Sequence, residues 1–449
     1  MRARRMWNML AVAVAAVVLL SSCAPAAAPT PQVVVETVVQ QVTVEPVIQE
    51  VTPTPAPVQL PSSIVIGSLE PLTGVTAIFA AEAIAAQEIA IRHINEAGGI
   101  HSLGGLTLEL ASEDTTDEVD AARLATESLI SKHDPVAAIG FFMSKLTMAG
   151  SEVTERERVI LISDALVDTL TMRGFQYLLR AAPNSRQHGE SGLGFVVEAG
   201  EKYGVPVETI AILNEDSAFG RSVALGAAEA AMKKGLPIVY QREYPYDLTD
   251  MSSIVASIQA AGPDVVLHAA YFGDAILFAK TFEETGYIPK FILGMGGTGY
   301  TDPDSVEALG EVADFYANTY SYNPAKDTPQ NRKFVEEYVA EMGKIPTEGG
   351  GLSYYSMWVL AEMFELSGQL FPDDPLNPEN LRQAAMQLDL TSGPAVETFP
   401  TDHIQFDGTG QNIFARATVL QVIDGELKVV WPFGEAEVEA AFPRPDTTE

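Results

Sequence analysis

The chain has 449 residues, which exceeds what one hydrophobic core usually supports, so the length predicts two lobes. Its 27 basic and 60 acidic residues give a formal charge of −33 at pH 7. A field of that sign repels nucleic acid and anionic lipid headgroups, which argues against either as a binding partner. The 47% of hydrophobic and 19% of charged residues are typical of a globular protein.

Residues 1–22 have the pattern of a secretory signal peptide. Three arginines precede an apolar run at residues 9–20, which is too short to span a bilayer. The run ends at Leu20-Ser21-Ser22-Cys23, which resembles the lipobox of bacterial lipoproteins. That resemblance implies that Cys23 is acylated, becomes the first residue of the mature chain, and anchors it to the outer face of the cell membrane. Cys23 is the only cysteine, so no internal disulfide can form; the alternative is an unmodified cysteine in an ordinary signal peptide.

Residues 23–62 differ in composition from the rest of the chain, and we interpret them as a flexible, lipid-anchored linker. Alanine, proline and threonine dominate both ends, and proline keeps such a tether extended at about 3.1 Å per residue. The valine-rich stretch VVVETVVQQVTVEPVIQEV lies between these ends. Pro46 interrupts any helical face, which favours an extended linker over a short strand or helix that associates with itself.

From Ile64 onwards the sequence repeats one strand-turn-helix pattern. Strands are predicted at residues 64–66, 106–111, 136–140, 159–163, 177–182, 209–213, 238–243, 264–268 and 291–294, and helices at 77–95, 118–132, 144–157, 184–203, 218–234, 251–261 and 275–286. This alternation predicts an α/β fold, with two Rossmann-like lobes that contain parallel sheets. In such sheets a ligand binds at the loops that follow the carboxyl ends of the strands.

The remaining third of the chain predicts a return to the first lobe. Helices at 331–342, 353–367 and 380–388 need a sheet to cover, and Phe406-Asp407-Gly408 predicts a hairpin turn between strands at 404–406 and 413–422. The chain then crosses between the lobes near 182–185, 319–322 and 406–412, which makes a three-crossing hinge. We therefore expect an N-terminal lobe (63–182 plus 321–405), a C-terminal lobe (183–320 plus 406–431) and an acidic tail (432–449).

Residues 63–431 resemble the extracytoplasmic receptors of ABC importers for leucine, isoleucine and valine. The resemblance rests on the order and spacing of the segments SIVIGSLEPLTG, INEAGGI, AAIGFFMSKLT, RVILISDAL, LTMRGFQYLLRAAP, AILNEDSAFGRS and GPDVVLHAAYFGDA. It implies a type I periplasmic-binding-protein fold, a small ligand closed between the lobes, and the transmembrane subunits of an ABC permease as partners. It implies neither a cofactor nor a metal.

The resemblance also implies ligand contacts in the first lobe. Ser144 matches a serine that binds the ligand's α-carboxylate, and a helix N-terminus is a suitable place for an anion. The alternative is that Ser144 only caps its helix. Ala165 matches a residue whose backbone groups bind the amino acid, whereas Leu166 stands where the family has a threonine. Losing that hydroxyl leaves a buried ammonium short of one acceptor, at a cost of about 1 to 3 kcal/mol.

In the second lobe the resemblance implies that Asp274 pairs with the ligand's ammonium group, and the alternative is an N-cap of the helix that follows it. Phe219 matches an aromatic ligand contact. Tyr271, Phe272 and Phe79 are expected to form apolar walls, although an aromatic residue at a strand end often belongs to the core.

Other patterns carry little weight for function. Gly294-Met295-Gly296-Gly297-Thr298-Gly299 matches a dinucleotide-binding pattern, but residues 300–303 separate it from any helix, so we interpret it as a flexible loop near the cleft. The six histidines show no metal-binding spacing, and acid pairs such as Glu215 with Asp216 are typical of solvated turns.

The sequence thus predicts a binding protein that captures a branched-chain or other apolar amino acid and delivers it to a permease. Because Leu166 departs from the family, short amides, urea-like molecules and aromatic or aliphatic carboxylates are alternative ligands. Ligand sensing is an alternative to transport. A hydrolase on the same scaffold is the third possibility, but no nucleophile–base pair is visible, so we predict that the protein is not an enzyme.

Overall fold

The computed structural model describes residues 60–445 except Val75, Tyr246 and Thr298. The predicted signal peptide, Cys23 and nearly all of the predicted linker lie outside these residues. Within the described part of the chain, no helix has both the length and the apolar character needed to cross a membrane.

The described strands and helices alternate along most of the chain. The strands are β1 (Ser63–Glu70), β2 (Thr107–Asp114), β3 (Ala137–Gly140), β4 (Ile160–Ser163), β5 (Leu178–Leu179), β6 (Ile210–Glu215), β7 (Ile238–Tyr244), β8 (Val265–Ala269), β9 (Phe291–Met295), β10 (Ala317–Tyr320), β11 (Asp389–Leu390), β12 (Ile404–Gln405), β13 (Thr418–Ile423) and β14 (Glu426–Trp431). The helices are α1 (Ala77–Glu96), α2 (Val119–His133), α3 (Ser144–Glu157), α4 (Ser185–Tyr203), α5 (Ala218–Lys234), α6 (Ser252–Ala261), α7 (Phe272–Thr285), α8 (Pro303–Leu309), α9 (Pro329–Met342), α10 (Glu348–Leu370), α11 (Pro378–Ala385) and α12 (Pro394–Thr398).

Two sheets organise these elements into two lobes. The first sheet has the order β2-β1-β3-β4-β5 and is parallel throughout. The second has the order β14-β13-β10-β9-β8-β6-β7; it is parallel from β7 to β10, and the antiparallel pair β13–β14 extends one edge. The first lobe comprises the first sheet, α1–α3 and α9–α12, and the second comprises the second sheet and α4–α8. The predicted two-lobed α/β fold with parallel sheets is confirmed.

Helix α10 is the central support of the first lobe. It packs along α1, and most of its residues are buried, as expected of a helix that is apolar on every side. It begins at Glu348 with Thr347 as its N-cap, five residues before the predicted start at Ser353. Three glycines at 349–351 obscured that first turn in the sequence. Gly351 is needed for close packing, because a Cβ there would lie 2.1 Å from the Tyr322 ring.

The predicted hairpin at residues 404–422 is only partly correct. The chain does reverse after Phe406, which forms an isolated antiparallel bridge with Asn412. However, β12 pairs with β11 rather than with the strand that follows it. The next strand begins only at Thr418, and β13 pairs with β10 and β14. Residues 413–417, which were predicted as the start of a strand, therefore belong to the third crossing between the lobes.

Three segments connect the lobes: residues 180–184, 321–328 and 406–417. The first and third lie side by side, since the Arg180 N–H donates to the Gly410 carbonyl at 2.8 Å and the Asn412 N–H donates to the Arg180 carbonyl at 3.0 Å. Thr418, directly after the third crossing, joins it to the second, because its hydroxyl donates to the Tyr322 carbonyl at 3.1 Å. The three crossings thus form one connected hinge.

Arg180 is fully buried in this hinge. Its guanidinium donates to Gln411 Oε1 at 2.7 Å, to the Val167 carbonyl at 2.6 Å and to Thr171 Oγ1 at 3.2 Å. Burial lowers the pKa of Arg180 to about 9, because the charged form is desolvated. These bonds connect the first crossing to the third crossing and to the loop after β4.

The segment predicted as an acidic tail packs on the second lobe over its described part, residues 432–445. Phe442 is buried, its ring centroid lies 5.0 Å from that of Phe291, and the Arg444 N–H donates to the Lys290 carbonyl at 2.9 Å. The two aromatic side chains in this segment, Phe433 and Phe442, both contact Phe195 of α4. Although the segment is acidic in composition, its two aromatic side chains therefore form an apolar contact face.

We expect Arg180→Ala to destabilise the protein by about 3 kcal/mol, since Gln411 and the Val167 carbonyl lose a charged donor inside the hinge. The midpoint of urea unfolding measures this. Arg156→Ala is the matched control, because Arg156 is exposed and solvent screens its two ion pairs. Equal effects of the two substitutions would contradict the role assigned to Arg180.

Candidate functional site

A narrow cavity of about 20 Å³ lies between the lobes, at the carboxyl ends of the strands. This volume holds about one water molecule and is far below the roughly 300–1,000 Å³ of small-molecule sites, so the lobes must move apart to admit a solute. The first lobe contributes Phe142, Ser144, Asp164, Leu166, Glu348 and Leu352 to the lining, and the second lobe contributes Phe219, Tyr271 and Gly297. A wider groove of about 480 Å³ lies between α8, α9 and the β13–β14 turn, and none of the predicted site residues lines it.

The turn between β3 and α3 positions two lining residues. Gly140 has a φ of +128°, and a Cβ there would lie 2.4 Å from the Leu69 carbonyl oxygen. Only glycine fits this conformation and this approach. The chain then turns so that Phe142 enters the cavity wall and stacks on Phe79, with ring centroids 4.4 Å apart. Phe79, predicted as a wall residue, therefore supports the wall from behind and does not line the cavity.

Ser144 lines the cavity at the first residue of α3. The N-cap of that helix is Met143, and the Ser144 side chain makes no capping hydrogen bond, so the alternative of a simple cap is not what the structure shows. Instead, Ser144 Oγ accepts a hydrogen bond from the Val167 N–H at 3.4 Å. Its hydroxyl proton is thus free to be donated to an oxygen in the cavity. The contact with a ligand carboxylate stays a prediction.

The loop after β4 differs from the expected arrangement. Ala165 packs in the core, where its N–H donates to Ser163 Oγ at 3.1 Å, and it does not line the cavity. Leu166 does line it. Between them, Asp164 is 4% exposed and lines the cavity as well. The Ser353 hydroxyl donates to its Oδ2 at 2.7 Å, while its Oδ1 has no hydrogen-bond partner.

Burial raises the pKa of the Asp164 carboxyl to about 7. Behind it, Glu70 ends β1 and is also buried, and Gln87 Nε2 donates to its Oε1 at 3.1 Å. Burial and then the neighbouring charge of Asp164 raise the pKa of Glu70 well above its usual range. Two carboxyls, one at the end of β1 and one in the loop after β4, are therefore held in a poorly solvated part of the first lobe.

Glu348 brings a third carboxyl to the site from the first turn of α10. It is 3% exposed, lines the cavity, and its Oε1 accepts from the Ser321 N–H at 2.6 Å. Burial raises the pKa of Glu348 to about 7. His188 Nε2 lies 3.9 Å from the same oxygen and 2.9 Å from Ser321 Oγ. Burial lowers the pKa of His188 to about 3, so this imidazole is neutral and does not balance the charge of Glu348.

Aromatic side chains form the second-lobe wall. Phe219 lies in the first turn of α5, whose N-cap is Ser217, and its ring centroid is 5.4 Å from that of Tyr271. Gly297 has a φ of +68°, and a Cβ there would lie 2.8 Å from the Ala270 carbonyl oxygen. The glycine-rich loop after β9 thus lets the backbone approach the cavity. Helix α8 begins only at Pro303, which agrees with the absence of a helix directly after the glycines.

Asp274 does not line the cavity. Helix α7 begins at Phe272 with Tyr271 as N-cap, so Asp274 is in the first turn and is not the cap. The Tyr244 hydroxyl donates to its Oδ2 at 2.6 Å, and Tyr244 also contacts His268 Nε2 at 2.6 Å. Burial raises the pKa of Asp274 to about 7. The structure therefore places this carboxyl in a buried polar network of the second lobe, behind the cavity wall.

The structure brings four of the eight predicted residues into one cavity: Ser144, Leu166, Phe219 and Tyr271. Phe272 is half-buried at the start of α7 and does not line the cavity. Phe79, Ala165 and Asp274 lie behind its walls. The sequence analysis did not assign Phe142, Asp164, Glu348 or Leu352. A carboxylate directly after a buried strand was the available signal for Asp164. Glu348 had no such signal in the sequence, because its helix was predicted to begin after it. Among the described residues, no group of three or more His, Cys, Asp or Glu side chains could hold a metal ion.

Polar contacts join the lobes on either side of the cavity. The Ser222 hydroxyl of α5 donates to Asp168 Oδ1 of the first lobe at 2.8 Å. Lys344 Nζ, in the loop before α10, lies 2.6 Å from Glu82 Oε1 and 2.8 Å from Asp304 Oδ2 of α8. The lobes are therefore closed over the cavity in this structure.

Comparisons with known proteins agree with this geometry. Residues 63–426 match the family model described as periplasmic binding protein. A Leu/Ile/Val-binding protein homolog of Brucella melitensis is 30% identical over 393 residues, which cover 85% of this chain and 94% of that protein. A leucine-binding protein of Thermotoga maritima has a TM-score of 0.69 at 21% identity, over 82% of this chain and 97% of that one. A solute-binding protein of Rhodopseudomonas palustris, solved with 3,4-dihydroxybenzoic acid, has a TM-score of 0.68 at 20% identity, over 82% and 95%.

The match covers the first sheet, the second sheet up to the first residue of β14, the hinge and every residue that lines the cavity. The chain therefore belongs to the periplasmic binding protein family, whose members act outside the cytoplasm.

Proposed function

We propose that this protein captures a small amino-bearing solute, with an apolar amino acid as the first candidate, and delivers it to an ABC permease. The observation that carries the proposal is the cavity between the facing carboxyl ends of two parallel sheets. Its aromatic and aliphatic walls suit an apolar side chain, and Ser144 beside the start of α3 suits a carboxylate. The names of its relatives, which refer to leucine, isoleucine and valine, support the same choice.

Binding rather than catalysis is proposed, because ligand capture by lobe closure needs no reacting side chain. A ligand shifts the lobes from open to closed by its differential affinity for the two states. An aromatic carboxylate is the second candidate ligand, since the Rhodopseudomonas palustris protein was solved with one and three aromatic rings line this cavity.

The same proposal includes a lipid anchor at Cys23, so that the lobes are tethered to the outer face of the membrane beside the permease. The lipobox-like tetrad and the proline-rich residues that follow it support this part. More than one acyl chain gives stable attachment, because each buried methylene contributes about 0.8 kcal/mol. A tethered receptor meets its permease at a high local concentration.

The first experiment identifies the ligand. Mass spectrometry of small molecules released from the purified protein should detect an amino compound, and calorimetry with a panel of amino acids and aromatic acids should then measure its affinity. Micromolar binding, about −8 kcal/mol, is the expected range for a receptor of this kind. If no compound in the panel binds at millimolar concentration, the proposed function is wrong.

A serine substitution tests the carboxylate contact. Ser144→Ala should weaken the binding of a carboxylate-bearing ligand by about 1 kcal/mol or more, since one hydroxyl donor is lost from a buried site. Ser131→Ala is a control on an exposed helix face. Calorimetry measures both. An unchanged affinity of Ser144→Ala would remove this residue from the ligand contacts.

A further inference from the structure

Acidic and basic residues are distributed unequally around the cavity. Asp164 and Glu348 line it, and no lysine, arginine or histidine is among its described lining residues. Each carboxyl is more than nine-tenths buried, and neither has an ion pair with lysine or arginine among the described residues. Burying a carboxylate without a counter-charge is unfavourable, and such groups are normally paired. No positive charge among the described lining residues balances these carboxylates, and a cationic ligand could supply one.

The hydrogen bonds around Asp164 leave one oxygen without a partner. Ser353 donates to Oδ2, whereas Oδ1 has no donor although it is buried. A buried acceptor without a donor is rare in native proteins and costs free energy. Since Asp164 lines the cavity, a ligand in that cavity can supply the missing donor.

Helix α10 brings the second carboxyl to the same space. Glu348 and Leu352 are one turn apart and line the cavity, and the next residue, Ser353, orients Asp164. Both carboxyls are thus fixed on one lobe, independently of its closure. Leu166 occupies the place where the resemblance expected an ammonium acceptor, so these carboxyls provide the acceptors that the leucine removed.

We propose that Asp164 and Glu348 bind the cationic nitrogen of the ligand, and that the ligand is therefore an amine whose carboxylate is dispensable. The rings of Phe142, Phe219 and Tyr271 surround the apolar body beside that nitrogen. This proposal rests on the proposed function, because it needs a solute in the cavity. It assigns the binding of the ammonium group to the first lobe, since Asp274 of the second lobe does not line the cavity.

Analogues that share one apolar body test the assignment. The panel is leucine, 3-methylbutylamine and 4-methylpentanoate, together with phenylalanine, 2-phenylethylamine and 3-phenylpropanoate, measured by calorimetry on the full-length purified protein. We expect the amines and amino acids of at least one series to bind at least about tenfold more tightly than the acid of that series, since hydrogen bonds to charged groups contribute about 1.5–3 kcal/mol. An acid that binds as tightly as its amine would overturn this assignment and leave capture of a solute intact. Failure of all six to bind would overturn both.

Three variants locate the amine contact. Asp164→Asn and Glu348→Gln should each weaken amine binding by about tenfold or more, while the weak binding of the acids stays the same or improves. Asp120→Asn is the control, because Asp120 is exposed on α2. Asp274→Asn tests the alternative acceptor. If Asp274→Asn lost amine binding while Asp164→Asn kept it in full, the proposal would be contradicted.

Amine affinity should also depend on pH. Asp164 faces Glu70 and Tyr355, and Glu348 faces His188, Tyr320 and Tyr355. Because His188 is neutral, no cation of the protein competes with the ligand for these carboxyls. Burial raises the pKa of Asp164 and of Glu348 to about 7, and an ammonium group binds the ionised forms. Affinity for an amine that binds should therefore rise about tenfold from pH 6 to pH 8, with proton release on the acid side. A pH-independent affinity would argue against these carboxyls.

The ligand-free protein provides a readout that does not depend on binding. A raised pKa in the folded state means that Asp164 favours folding below about pH 4, and this contribution is lost as the pH rises to about 7. Asp164→Asn removes the buried charge, so it should raise the midpoint of thermal unfolding at pH 8 by more than at pH 5. A midpoint that falls more at pH 8 than at pH 5 in Asp164→Asn would contradict the claim that Asp164 is a buried carboxylate without a counter-charge.

Discussion

The arrangement of this molecule depends on the way that the carboxyl ends of two parallel sheets face each other across one hinge. A parallel sheet directs all its strand-to-helix loops to one edge, so each lobe collects its loops at the cavity. Three adjacent crossings hold the two edges opposite each other. The buried guanidinium of Arg180 connects two of these crossings, and the Thr418 hydroxyl connects the third. Most side chains of the site lie on one of these edges, and α10 adds Glu348 and Leu352.

The elements that form this frame could be predicted from the sequence because short apolar strands and amphipathic helices alternate along the chain. Helices α3 and α5 were predicted with their observed ends, and in α5 a serine N-cap and a glycine C-cap mark those ends clearly. Helix α10 was predicted to start late. Its first turn contains three glycines, which are poor helix formers, and close packing against Tyr322 and Tyr338 overrides that preference. The missed turn contains Glu348, so the error in a boundary became an omission in the site.

The site residues show a second limit of sequence reasoning. Periodicity places a residue at a strand end but does not say whether its side chain points into the cavity or into the lobe. Asp164 and Ala165 are neighbours, yet the first lines the cavity and the second packs in the core. Asp274 and Tyr271 differ in the same way at the start of α7. Matching the sequence to a family identifies the loop that forms the site. It does not identify the contacting side chains, because the exchange of a hydroxyl for Leu166 allows the polar contacts to move elsewhere on that loop.

The buried carboxyls also suggest how ligand binding is coupled to lobe closure. Two contacts join the lobes at the rim: Ser222 donates a hydrogen bond to Asp168, and the partly exposed ion pair of Lys344 with Asp304 contributes about 1 kcal/mol or less. Closure removes water from Asp164 and Glu348, which is unfavourable while they have no counter-charge. Under the proposed assignment, an ammonium group removes that penalty only in the closed state. A shift from 1:99 to 99:1 in favour of closure needs about 5.5 kcal/mol of differential affinity. Two desolvated carboxyls are a sufficient source, so the groups that would select the ligand are also the groups that would keep the empty lobes open.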